Sequence, residues 1–407
     1  MLAELARQFG EATGKRGALR NAIGQTADPT ILQKTNEPHD RGSILVAAVF
    51  DAFLTVYKSR IADLMRIATG GTGILPEGAI HPDLVNRMAE EAADVSQHVL
   101  WLCILALDYS PPVDITFGEY LRAIVTASFD TDPDDRNGYR IAVVESFRRR
   151  GIYPTNVRSL SGESLLWFPP ENDEVLMKFF DIPRQEKIQQ YETIQKRNRD
   201  HRQVIFSTEG SFRRIFRDWV LNDLTKRYLA KHQSIEAANQ VIQNSLNLVL
   251  WPDEKFQSIY LDTETGRPEL GVNSVRLAHR VDQSGQPYTD LVVELNQRRR
   301  GYLDPDEQAA VDSGKAPAGK APAGEPDFIF RGGATMTIDI ETGKVRYIIT
   351  KSVDSNRRLG IMRQYLTRPE MSLAYTYFGK SSLNYFKGAV QREPFAILHG
   401  SGIELEE

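Results

Sequence analysis

The sequence predicts an α+β protein, with a mainly helical N-terminal region followed by a smaller antiparallel β-meander module. Three observations predict it. Apolar residues recur at the 3.6-residue helical period between about Ser43 and Arg150. After Gly271 the period drops to two, in short runs rich in β-branched and aromatic residues. The length of 407 residues exceeds what one hydrophobic core usually serves, so more than one unit is expected.

Taken in order, Leu2, Leu5, Ala6 and Phe9 mark a short amphipathic helix, and Lys15–Pro38, rich in Gly, Thr, Asp and Pro, reads as an irregular loop. From Ser43 to about Thr69, Ile44, Val49, Phe50, Phe53, Val56 and Ile61 fit one helix. Its first half is apolar nearly all round and so belongs in a core. GGTG at 70–73 has no strand before it and reads as a helix stop rather than a phosphate cradle. Further helices are predicted at about Pro82–Leu107, Phe117–Phe129 and Tyr139–Arg150, the last stopping before Gly151.

Residues 157–265 form a charged helical region, with Glu186–Gln203 highly polar and Phe212, Ile215, Phe216, Trp219, Leu224 and Tyr228 marking an amphipathic helix behind it. Residues 266–352 carry four strand-like runs separated by the turn sequences DQSGQ and ETGK. Between the second and third lies Gly314–Gly324, a tandem Ala/Pro/Gly repeat whose composition predicts disorder. Residues 353–407 complete the chain as a C-terminal helix and an acidic tail. The first boundary is placed at 1–156.

Fifty Lys and Arg against 54 Asp and Glu give a formal net charge of -4, which argues against a nucleic-acid coat protein. No nucleic-acid partner is expected. The single cysteine, Cys103, excludes an intramolecular disulfide framework and any Cys-rich zinc module, and it sits in an apolar helical run that suggests an inert thiol. The N-terminus lacks the long apolar stretch of a secretory signal. The most apolar run, Ile44–Leu54, is 11 residues, short of the ~20 that a membrane span needs. The expectation is a soluble, cytoplasmic protein with no membrane partner.

No HExxH, GxSxG or P-loop occurs. His98, His201, His232 and His279 lack metal-ligand spacing and read as structural or solvated. Arg298-Arg299-Arg300 reads as an exposed charge run, with anion binding as the alternative. The segment NEPHDRGS differs, because it places His39 and Arg41 at the start of the most buried helix, where unpaired N–H groups favour an anion. Glu37 stands two residues away, close enough to orient the imidazole. Capping plus surface charge is the competing explanation of the same residues.

The order LRNAIGQTADP (Leu19–Pro29), then EPHDRGSILVAAVFDAF (Glu37–Phe53), resembles the rear of a thermolysin-like (gluzincin) zinc metallopeptidase catalytic domain. FGEYLRAIVTAS and YRIAVVESFRRRGI are similar to that family's closing helices, so the resemblance covers roughly residues 1–155. It implies that this region is a thermolysin-like C-terminal helical subdomain. It also implies that Arg20 binds a substrate carbonyl and that His39 donates to the tetrahedral intermediate; Arg41, from the helix-start reading, is the further candidate for binding substrate. In an intact relative, zinc activates the attacking water and an HExxH glutamate takes its proton. That motif lies several tens of residues before the arginine, so the resemblance implies that the zinc-binding half precedes Met1, on a missing segment or a partner chain, or has been lost. The chain itself is expected to hold no cofactor and to leave peptides uncut, zinc and a peptide or protein substrate belonging to the intact relative. The alternative is a non-catalytic binding protein on a peptidase-derived scaffold.

Overall fold

The computed structural model describes residues 26–35, 38–75, 77–78, 80–170, 174–177, 182–198, 201–232, 234–281, 286–315 and 325–367. The expected helix at Leu2–Phe9, most of the 314–324 insert and the tail from Ser401 lie outside that set. The chain is α+β, with helices mostly N-terminal and strands C-terminal. The described residues fall into two units, 26–109 with 116–166, and 110–115 with 167–367.

The first unit is helical: α1 (Pro38–Arg60), α2 (Ala62–Ala68), α3 (Pro82–Leu105), α4 (Phe117–Thr131) and α5 (Tyr139–Arg149). Helix α1 packs on α5 and α3, and α4 packs on both as well. The buried stripe of α1 is Ile44, Ala47, Ala48, Ala52 and Val56, and Val95, Val99, Leu121, Val125 and Phe147 are buried on the helices of the same unit. Three alanines on one face allow close approach, and the Ser146 hydroxyl of α5 donates to the Ala48 carbonyl. Arg150, almost fully buried, pairs with Asp51 at 2.7 Å.

The helix expected to run unbroken to Thr69 is interrupted at Ile61, and α2 then ends where Gly70 and Gly71 take positive φ. Helix α1 is longer than the apolar run alone suggested. By length and composition Asp40–Arg60 could cross a membrane, and 28% of its most apolar window is buried against the chain's own residues.

Local signals set the other ends. Pro82 opens α3, with the His81 ring accepting from the Asp83 N–H. Thr116 and Glu119 form a reciprocal capping box on α4. Helix α5 closes in a Schellman motif, with Gly151 N–H donating to Arg148 O and Ile152 N–H to Phe147 O.

The second unit contains α6 (Ile182–Arg197), α7 (Arg202–Asp218), a π-helical turn (Trp219–Leu224), α8 (Thr225–His232) and α9 (Ile235–Leu246). The sheet follows: β1 (Gly271–Val281), β2 (Pro287–Gly301), β3 (Phe328–Asp339) and β4 (Val345–Lys351), antiparallel in the order β1-β2-β3-β4. This is the expected meander. Two helices complete the unit, α10 (Pro305–Asp312) between β2 and β3, which the sequence reading missed, and α11 (Asn356–Leu366).

Phe216, Val220, Tyr228, Ile242 and Leu246 share one core with Val275, Leu291, Val293, Met336 and Ile338, so the charged helices and the sheet cover each other. The Tyr191 hydroxyl of α6 donates to the Val275 carbonyl at 3.0 Å, fixing that helix on β1. Asp290, fully buried on β2, accepts from both Arg280 and Arg346 at 2.9 Å.

Candidate functional site

Helix α1 begins at Pro38, which places His39 in its first turn at the entrance to the apolar stripe. The His39 side chain lies outside the described residues, as do Arg20 and Glu37, so their mutual geometry is not described. Arg41 is described, and its guanidinium faces its own backbone. Nη1 donates to the carbonyls of Thr35 at 2.8 Å and Leu32 at 3.1 Å, and Cζ stands 6.0 Å from the Phe117 ring centroid. In that geometry Arg41 fastens the incoming loop to α1.

A second arrangement lies wholly within the second unit. Gly210, Arg213, Arg214 and Arg217 recur at i, i+3, i+4 and i+7 along α7, and so share one face. Facing them are the segment Tyr260–Thr263, the start of β1 at Gly271 and Val272, and Arg298 of β2; together they line a groove of about 780 Å³. That size lies within the usual range of small-molecule sites.

The walls are held by specific bonds. The Asp262 carboxylate accepts from the N–H and hydroxyl of Thr265, which hold its pKa below the ordinary carboxylate value. It also pairs with Arg217 at 3.0 Å. Arg298 grips Glu269 through Nε and Nη2, the closest approach being 2.6 Å, and lies 5.0 Å from the Tyr260 ring centroid. Arg267 donates to the Leu221 carbonyl of the π-helical turn at 2.7 Å, and burial lowers its pKa. The π-helical turn thus offers an acceptor that fastens Arg267, which lies in the chain between Asp262 and Glu269.

The groove's net charge is positive. Asp262 and Glu269 answer Arg217 and Arg298, leaving Arg213 with one carbonyl acceptor, that of Asn273 at 3.2 Å, and Arg214 with no partner among the described residues. Arg217 Nε is buried without an acceptor.

The sequence reading of the arginine run requires correction, because Arg299 is fully buried rather than exposed. It donates to Asp312 of α10 at 2.5 Å, to Ser258 at 3.0 Å and to Asn356 at 2.7 Å. Arg298 lines the groove, and Arg300 covers Tyr260 from 4.9 Å.

Cys103 is half-buried and its thiol pKa is pushed up by burial, as an inert thiol requires. Among the described residues no three His, Cys, Asp or Glu side chains gather as a metal site. The sequence reading did not single out the α7 arginines as a site. Their signal was available in the spacing, opposite the apolar Phe212, Phe216 and Trp219.

Comparison of the chain with protein-family models, with curated proteins and with solved structures found no match.

Proposed function

We propose that the helical unit derives from the rear of a thermolysin-like zinc metallopeptidase catalytic domain, with His39 and Arg20 as its oxyanion-side residues. The observation that supports this reading is the start of α1. His39 stands in the first turn of a long apolar helix packed against α5 and α3, in the helix order that the resemblance implies. An imidazole and a guanidinium at that position would donate to a tetrahedral oxyanion, each good donor contributing ~2–4 kcal/mol to its stabilisation. The described residues do not fit a zinc ion, since no three His, Cys, Asp or Glu side chains gather among them. Without an HExxH base the polypeptide alone leaves peptides uncut.

Two measurements test this. The coding DNA upstream of Met1 should contain an in-frame HExxH. The purified chain, dialysed and analysed for metals, should retain less than stoichiometric zinc. A stoichiometric, tightly held zinc would reveal a ligand set from scattered residues and overturn the inactive reading.

A second reading, a non-catalytic binding protein, has its own supporting observation. β1 is an edge strand, and its first residues open into the arginine-lined groove. Upstream DNA without the motif would favour it.

A further inference from the structure

We propose that the arginine-lined groove of the second unit is a binding site for a small organic polyanion, a compound carrying at least two phosphate or carboxylate groups. The proposal stands apart from the peptidase reading, because it uses none of that unit's residues.

Four features carry it. The first is charge. Four guanidinium groups line one groove, two carboxylates answer two of them, and Arg213 and Arg214 face the space without a carboxylate partner. The second is spacing. Arg213 and Arg217 stand one helical turn apart on the same face of α7, with Arg214 beside them, so their forks can meet separate anionic groups of one ligand. Gly210 extends this face without a side chain, and a Cβ built there meets only the tip of Arg213, at 3.9 Å.

The third feature is construction. The walls are fastened by the Asp262 turn, the Arg298–Glu269 fork and the anchor of Arg267 on the π-helical turn. A site whose walls are already held loses little entropy on binding. The fourth is a half-used fork. Arg217 bonds Asp262 through Nη2 at 3.0 Å while its side chain stays 40% exposed, so the rest of its fork is open to a ligand.

The same features limit the ligand's class. A nucleic-acid backbone demands an extended basic stripe, whereas Asp262 and Glu269 sit in this wall and would repel a continuous run of phosphates. A volume of about 780 Å³ holds a small molecule, and Leu261 and Val272 offer apolar surface to its carbon skeleton. Arginine forks match carboxylate and phosphate alike.

The test is calorimetric titration of the full chain at low salt with pyrophosphate, citrate, acetate and a short poly-glutamate peptide. Pyrophosphate or citrate should bind at one site per chain and acetate should not. The double variant Arg213→Gln/Arg214→Gln should weaken binding at least 10-fold with unchanged circular dichroism. Glu269→Gln, which removes the carboxylate holding Arg298, should tighten it. The control Arg148→Gln/Arg149→Gln removes the same charge from an exposed face of the helical unit and should leave affinity unaltered. No binding, equal weakening by the control pair, or binding of the poly-glutamate peptide alone would each overturn the proposal.

Discussion

His98 lies on α3 with its ring centroid 4.1 Å from that of Tyr139 and 5.7 Å from that of Trp101. Burial lowers its pKa from 6.5, outweighing the attraction of Asp132 and Asp135 for its charged form. The unfolded chain therefore binds this proton more readily than the folded one. Stability contributed by the neutral ring is fully present above 6.5 and is lost as pH falls from there through the lower folded value. Urea unfolding of the helical unit at about pH 7.5 and pH 5 should show this loss, and His98→Gln should reduce it. An unchanged slope in the variant would assign the acid sensitivity elsewhere. The arginine run shows how far such single-residue chemistry can be read ahead. Alternation along β2 already separates Arg299 from Arg298 and Arg300, placing it on the opposite face. The sequence could not supply its partner, because Asp312 belongs to α10 and only the tertiary fold brings that helix under the strand. A buried arginine of this kind is tolerable only when paired.

Among the elements, those with strong period and clear caps were the legible ones. Helices α3, α4 and α5 and all four strands lie where the apolar pattern and turn residues put them. The π-helical turn at Trp219–Leu224 was not legible, because an extra residue in one turn leaves the apolar spacing of Phe212, Phe216, Leu224 and Tyr228 almost intact. Nor was α10, an eight-residue helix whose N-cap Asp304 and Pro305 sit within a long connection between strands. The end of α5 offers a test of the capping argument. Gly151 takes φ +67°, and a Cβ there would lie 1.9 Å from the Pro29 carbonyl oxygen. Gly151→Ala should destabilise the helical unit by more than the ~1–2 kcal/mol that left-handed backbone alone costs a non-glycine residue. Equilibrium denaturation with an unchanged m-value would measure it. A cost no larger than that ~1–2 kcal/mol would mean that the 26–35 segment yields freely.

For the whole molecule, two separately built cores matter more than any one contact. The helical unit buries Phe147 without exposure, and the second unit buries Phe216 within the core shared by its helices and sheet. The candidate groove was illegible at this scale, since its walls come from 210–217, 260–272 and Arg298, stretches that only the fold brings together. By contrast, the position of His39 at a helix start was legible, because the apolar run from Ile44 announces the helix that follows. Domains with their own cores unfold as cooperative units, and a cavity is felt first in the core that contains it. Phe147→Ala should therefore cost about 3–5 kcal/mol, concentrated in the first unit. Native-state hydrogen exchange would then show lost protection across α1, α3, α4 and α5 and unchanged protection across β1–β4. Phe216→Ala should produce the reverse pattern. Equal loss of protection in both units from either substitution would show that the chain unfolds as one, and the division into two cores would then carry no energetic meaning.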